Sequence, residues 1–164
     1  MTPPPRVYLA GPDVFHPDRD RLFRVRARLC RTYGLEPLIP FDPGATTASA
    51  IYCANVRLLD TSDAVVANFS PFRGPHADVG TAWEVGYAVA RGTPVWAFSD
   101  VQGPLTARIS TREAPAGVDA LGLAVEDFGL ADNLMLVEGL ADRAVHSSFE
   151  AAIARVAARL LGEP

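Results

Sequence analysis

Residues 63 to 97 read DAVVANFSPFRGPHADVGTAWEVGYAVARGTPVWA, and this stretch decides the fold of the chain. Its valine-rich run from Ala64 to Phe69 is typical of a strand that is buried on both faces of a parallel sheet. An apolar-periodic helix is predicted from Gly80 to Arg91, and a second strand from Pro94 to Phe98. Because ligands bind at the carboxyl ends of parallel strands, we expect the chemistry in the connecting loop from Ser70 to Asp78.

The preceding sequence extends this βαβ unit. Short apolar runs predict strands from Arg6 to Ala10 and from Leu35 to Ile39. Helical spacing predicts a helix that ends at Gly34 and another from Ser49 to Thr61. Strands that alternate with helices imply a parallel sheet covered on both faces. We therefore predict an α/β fold, a flavodoxin-like three-layer sandwich with five strands in the order 2-1-3-4-5, as a single domain over residues 1–164.

The carboxyl-terminal part of the chain is less regular. Residues 99–131 show no strong periodicity and are predicted as a long excursion that contains a short hairpin. A helical turn is predicted from Asn133 to Gly139, and an edge strand from Ala144 to Val145. The segment from Ser147 to Glu150 is interpreted as a capping box that opens a last helix.

Composition excludes several classes of partner. The chain has 164 residues, which is the size of one domain, and its net charge of −4 makes nucleic acid and anionic membranes poor partners. No apolar run reaches membrane-spanning length, and the amino terminus lacks the apolar core of a signal peptide. Cys30 and Cys53 lack metal-ligand spacing. We expect a soluble cytoplasmic protein that uses neither a metal nor a cofactor.

Familiar nucleotide-binding and hydrolase motifs are missing. The sequence contains no P-loop, no G-x-G-x-x-G after the first strand and no G-x-S-x-G elbow. Cys53 is interpreted as a core residue of its helix. The first helix carries six arginines, which we interpret as a solvated face although they could also bind phosphate: Arg19, Arg21, Arg24, Arg26, Arg28 and Arg31.

Two acids stand out in the βαβ unit. Asp78 ends the loop, and Glu84 lies in an otherwise apolar helix segment. Ordinary helix chemistry offers one interpretation, with Asp78 as a cap and Glu84 as a helix-start acid. The other interpretation is catalytic, because a helix amino terminus favours a negative charge and keeps a carboxylate ionised as a nucleophile.

The predicted strand order brings further residues to the same rim. The strand-to-loop edge from Tyr8 to Phe15 lies at the end of the first strand, and Gly11 and Phe15 are candidates for substrate binding. Tyr8 is either a core tyrosine with a satisfied hydroxyl or a residue whose hydroxyl faces the Glu84 carboxylate. Asn55, on the helix before the third strand, is within reach of this rim.

Four segments, taken in order, resemble the nucleoside 2-deoxyribosyltransferase family. They are YLAGP from Tyr8, DAVVANFSPFRGP from Asp63, DVGTAWEVGYA from Asp78 and NLM from Asn133. The resemblance covers nearly the whole chain. It implies a flavodoxin-like fold, transfer of 2-deoxyribose between nucleobases in nucleotide salvage, and free 2′-deoxynucleosides and nucleobases as substrates.

The resemblance also implies residue roles. Glu84 matches the family's glutamate nucleophile, Asp78 the acid that handles base protonation, and Tyr8 the tyrosine that positions the nucleophile. Asn133 and Met135 match residues that reach a neighbouring subunit's site, which implies a homo-oligomer with a shared site. Well-studied family members carry a second base-binding aspartate where this chain has Asn55, and an amide cannot donate a carboxyl proton.

Two alternatives to the transferase stay open. One is a hydrolase of the same superfamily, a deoxynucleoside 5′-monophosphate N-glycosidase, in which water replaces the acceptor base. The absence of a Ser/Gly-rich phosphate nest near Asn133 disfavours it. The other is a non-catalytic nucleotide-binding module, which would not need both Asp78 and Glu84.

Overall fold

The computed structural model describes residues 2–41, 43–109 and 117–162. Within these ranges the chain forms five strands, six helices and a short 3-10 turn (Pro12–Phe15). In chain order the elements are β1 (Arg6–Ala10), α1 (Arg19–Thr32), β2 (Glu36–Leu38), α2 (Ala48–Asp60), β3 (Ala64–Asn68), α3 (Val79–Ala90), β4 (Val95–Phe98), α4 (Thr106–Ile109), α5 (Leu134–Val137), β5 (Val145–His146) and α6 (Phe149–Leu161).

The five strands form one parallel sheet in the order β2-β1-β3-β4-β5. This confirms the predicted fold class and strand order. The order reverses between β1 and β3, whose register pairs Tyr8 with Val65 and Ala10 with Ala67. Both strands therefore end at the same level, and the loops that follow them begin side by side. This is the switch point at which open α/β sheets bind ligands.

Two apolar clusters cover the two faces of the sheet. Tyr8, Val65 and Ala67 point to the face that packs against α2, α3 and α5. Val7 and Val66 point to the other face, which packs against α1 and α6. Successive strand residues alternate between faces, so a strand covered on both sides must be apolar at nearly every position. The three-layer sandwich follows from this pattern.

The carboxyl-terminal elements differ in detail from the predictions. Residues 110–116 of the predicted excursion lie outside the described residues. The rest of it contains the unpredicted helix α4 and an antiparallel bridge between Val118 and Ala124.

The predicted capping box is wrong by one residue, because Ser148 is the N-cap of α6 and its hydroxyl accepts from Ala151 N at 3.1 Å. Glu150 instead accepts a hydrogen bond from the Tyr33 hydroxyl.

Two residues of the helices were placed wrongly from the sequence. Cys53 is exposed and is not a core residue of α2. Arg26 is buried in α1, whereas a solvated face was predicted for all six arginines. Arg26 lies three residues after the core residue Phe23 and four before Cys30, so helical spacing puts it on the buried face. Its charge is paired there with Asp13.

None of the described helices is both long and apolar enough to cross a membrane.

Candidate functional site

Tyr8 and Glu84 form a hydrogen-bonded pair below the switch point. Tyr8 is fully buried in β1, and its hydroxyl donates to Glu84 Oε1 at 2.5 Å. Glu84 reaches it from α3, which packs on that face of the sheet. The structure combines the two interpretations of Tyr8, because it is a core tyrosine and its satisfied hydroxyl faces the Glu84 carboxylate. Glu84 Oε2 has no hydrogen-bond partner among the described residues.

Burial controls the protonation of Glu84. The pKa of the Glu84 carboxyl is raised from its ordinary 4.5 to about 7, and burial is the largest cause. The nearby Asp78 carboxylate also raises this pKa, whereas the hydrogen bond from Tyr8 lowers it. The expectation that the helix amino terminus keeps Glu84 ionised is therefore wrong. Glu84 is the sixth residue of α3, and the helix dipole acts within about the first turn. Burial and the Glu84 charge raise the pKa of Tyr8, so its hydroxyl stays a donor.

Asp78 is both a helix cap and a residue of the site. One carboxylate oxygen, Oδ2, accepts from Thr81 N at 3.0 Å and from the Thr81 hydroxyl at 3.3 Å. The other oxygen, Oδ1, has no hydrogen-bond partner within the described ranges. The cap fixes the carboxylate at the mouth of the site, and Oδ1 stays available to a ligand. The capping and the ligand-facing interpretations of Asp78 are compatible.

A cavity of about 570 Å³ opens above the Tyr8–Glu84 pair. This volume lies within the range of small-molecule sites, about 300–1,000 Å³. Five of the predicted site residues line it: Gly11, Phe15, Asn55, Asp78 and Glu84. The remaining wall is mostly apolar and comprises Val14, Pro40, Phe41, Ala45, Ala48, Ile51 and Tyr52, together with Gly80 and the cationic Arg19. A flat, partly apolar molecule suits such walls.

Gly11 is required by close approach of two backbones. A Cβ at this position would lie 2.8 Å from Asn68 Cβ and 2.8 Å from Asp13 Oδ2. No side chain fits there, because β1 and β3 are neighbours and both end at this level. The glycine therefore lets the loop after β1 run across the end of β3 and form one wall of the cavity.

Asn133 and Met135 do not line the cavity of their own chain. Asn133 caps α5, since its Oδ1 accepts from Met135 N at 3.0 Å, and its Nδ2 donates to Glu126 Oε1 at 2.9 Å. Met135 is 76% exposed. These two predicted site residues are thus separated from the other six within one protomer.

A buried polar cluster beneath the cavity was missed from the sequence. Asp13 pairs with Arg26, and Asn68 Nδ2 donates to Asp13 Oδ1 at 3.2 Å. Asn68 Oδ1 also accepts from Ser70 N at 3.0 Å. The cluster therefore joins the loop after β1, the loop after β3 and helix α1. The sequence carried two signals for it, the phase of Arg26 on the apolar face of its helix and the polar Asn68 inside a strand predicted to be buried.

An aromatic stack joins the same two loops at the surface. Phe15 stacks on Phe72, with ring centroids 5.4 Å apart, and the Arg73 guanidinium lies over both rings. Phe15 also lines the cavity. The wall that Phe15 forms is thus supported by the segment between β3 and α3.

A parallel α/β sheet with a carboxylate and a cavity at its switch point defines a class of ligand-binding α/β proteins. Comparison with known proteins narrows the class. The model of the family described as nucleoside 2-deoxyribosyltransferase matches residues 7–135. The chain therefore belongs to the nucleoside 2-deoxyribosyltransferase family.

The chain is also similar to individual proteins. A solved structure described as a 2-desoxiribosyltransferase from Leishmania mexicana is 39% identical, with a TM-score of 0.83 over 96% of this chain and 99% of that one. An uncharacterized protein of Schizosaccharomyces pombe is 31% identical over 95% of this chain and 90% of its own length. A conserved protein from Enterococcus faecalis V583, also of known structure, is 26% identical, with a TM-score of 0.61 over 95% of this chain and 99% of that one.

Proposed function

We propose that this protein transfers 2-deoxyribose between nucleobases through a covalent glycosyl-glutamate intermediate. The hydrogen-bonded Tyr8–Glu84 pair below the cavity is the observation that carries the proposal. Membership of the family supports the same reaction class. Free 2′-deoxynucleosides and nucleobases are the proposed substrates.

Glu84 is the proposed nucleophile. Its Oε1 is held by Tyr8, so Oε2 attacks the anomeric carbon. The new bond joins Oε2 to that carbon, and the bond from the carbon to the base nitrogen breaks with its electron pair going to the base. A nitrogen of a second base then attacks the same carbon and releases the Glu84 carboxylate. Two displacements restore the original configuration at the anomeric carbon.

The raised pKa of Glu84 suits both displacements. With a pKa of about 7, the group is partly ionised at neutral pH and is a stronger base than an exposed carboxylate. The ionised Glu84 carboxylate is the nucleophilic form, and the hydrogen bond from Tyr8 stabilises its negative charge. The same hydrogen bond supports the departing carboxylate in the second step.

Asp78 is the proposed partner of the base. Asp78 lines the cavity, and its Oδ1 has no hydrogen bond among the described residues, so this oxygen can give a proton to the departing base and take one from the incoming base. Asn55 lines the same cavity and supplies an amide, which binds a base edge but cannot protonate it. Proton transfer therefore depends on Asp78.

We infer that the active form is a homo-oligomer in which Asn133 and Met135 cover a neighbouring protomer's site. Apolar side chains are exposed on α2, α3 and α5, among them Tyr52, Val79 and Met135. Cover from a second copy would exclude water from a reactive glycosyl-enzyme. Activity should then fall on dilution, and Asn133→Ala should raise hydrolysis relative to transfer. Sedimentation that finds a fully active monomer contradicts this inference.

The reaction is tested by incubating the protein with 2′-deoxyinosine, with and without adenine, and separating the products. Formation of 2′-deoxyadenosine only when adenine is present supports the transferase. Release of hypoxanthine at a rate that adenine does not change identifies a hydrolase, and no reaction identifies a binding module.

Glu84→Ala removes the attacking atom, so exchange should fall by about three orders of magnitude or more. Glu138→Ala, at an exposed position, is the matched control.

A further inference from the structure

Arg19 places a guanidinium in the wall of the cavity that holds Glu84. It is the first residue of α1, and its guanidinium carbon lies 4.4 Å from the centre of the Phe41 ring. Both residues line the cavity. This cation–π contact with Phe41 positions the guanidinium at the cavity wall.

The donors of this guanidinium are largely unused. Among the described residues its ion-pair partner is Asp20, 3.6 Å from Nε, and both side chains of this pair are exposed. That distance is too long for a hydrogen bond, and the Arg19 side chain donates no hydrogen bond to any described residue. An oriented arginine with free donors is suited to bind a ligand that presents acceptors.

The surroundings favour a nucleobase over a phosphate. The wall near Arg19 contains Pro40 and Phe41, which are apolar surfaces that suit a flat ring. The other charged groups that line the cavity, within the described ranges, are Asp78 and Glu84, and both are acids. A phosphate dianion would face these two carboxyls with a single arginine to offset them, whereas a neutral base would not be repelled.

We propose that Arg19 is a specificity-determining residue that selects bases with hydrogen-bond acceptors on the edge remote from the sugar. The inference rests on the proposed function and names its substrate class, the 6-oxopurine 2′-deoxynucleosides. A 6-oxopurine offers a keto oxygen and a ring nitrogen to the two-pronged donor. Adenine offers an amino group in place of the keto oxygen, and this donor would face another donor.

The experiment compares Arg19→Met with the wild type. Methionine keeps apolar contact with Phe41 and removes the donors. The kcat/KM values for 2′-deoxyinosine and 2′-deoxyadenosine are measured with one common acceptor base. The wild type should prefer 2′-deoxyinosine by about 10- to 100-fold, the usual range for bidentate arginine readout of a base. Arg19→Met should remove most of this preference by lowering kcat/KM for 2′-deoxyinosine alone.

Arg21→Met is the matched control. Arg21 lies on the same helix, is exposed, and is not among the residues that line the cavity, so both rates and their ratio should stay within about twofold of wild type. An unchanged ratio in Arg19→Met overturns the proposal. The nucleotide 2′-deoxyinosine 5′-monophosphate is assayed alongside the two nucleosides. If Arg19→Met lowers kcat/KM for this nucleotide alone, the proposal is also overturned and a phosphate contact is identified.

Direct binding separates this inference from the transferase proposal. Calorimetric titration with hypoxanthine and with adenine needs no turnover. Hypoxanthine binding that Arg19→Met weakens at least tenfold, in a protein without exchange activity, supports base selection while the transferase proposal fails. If the wild type has exchange activity but both it and Arg19→Met bind hypoxanthine and adenine equally, the transferase proposal is supported. The inference that Arg19 selects the base is then overturned.

Discussion

Replacing Glu84 by glutamine should make the protein more stable at alkaline pH. The pKa of the carboxyl is about 7 in the folded chain, against an ordinary 4.5. One pKa unit corresponds to about 1.36 kcal/mol, so ionising Glu84 costs the folded state up to about 3 kcal/mol more than the unfolded state. The figure is an upper limit, because water reaches part of the carboxylate through the cavity.

The sign of the pH dependence follows from the raised pKa. Between pH 4.5 and about 7 the folded chain binds the Glu84 proton more tightly than the unfolded chain does. The stabilisation is therefore complete below 4.5 and is lost as the pH rises through about 7. Glutamine cannot ionise, and its oxygen can still accept from Tyr8. Between pH 5 and pH 8, the wild type should lose about 2 to 3 kcal/mol of unfolding free energy relative to Glu84→Gln.

Urea unfolding, followed by far-ultraviolet circular dichroism at several pH values, measures this difference. Glu138→Gln is the control, since its carboxylate lies at the surface and should not change the pH dependence. Parallel pH curves for the wild type and Glu84→Gln would refute the claim that burial raises the pKa of Glu84. A larger wild-type loss with no exchange activity would support a buried carboxylate without a nucleophilic role.

Two further predictions concern the Tyr8 hydroxyl and the sugar of the substrate. Tyr8→Phe removes the hydrogen bond that lowers the pKa of Glu84, so the acid limb of the pH profile of kcat/KM should move to higher pH. At pH 7, kcat/KM should fall about 10- to 100-fold. An acid limb that does not move contradicts the role of Tyr8. Inosine should have a kcat/KM at least about tenfold below that of 2′-deoxyinosine, because a 2′-hydroxyl destabilises an oxocarbenium-like transition state; comparable values for the two would rule this out.

The sequence was sufficient to predict the sheet and the rim at which the candidate site residues were expected. Buried parallel strands are apolar at nearly every position, so β1 and β3 were visible as short valine-rich or apolar runs. The alternation of strands with helices then limited the topology, and the switch point followed from the strand order. The predicted strand order also placed Tyr8, Asp78 and Glu84 at one edge of the sheet, where β1 and β3 end.

Only the tertiary structure decided the electrostatics and the composition of the cavity wall. The pKa of Glu84 depends on how deeply the carboxylate is buried and on which groups surround it, and helix position alone gave the wrong direction. Helical spacing puts Arg26 on the buried face of α1, but it shows neither that Asp13 pairs with Arg26 nor that Arg19 lines the cavity. Neighbours that are distant in sequence set these properties, and local periodicity carries no information about such neighbours.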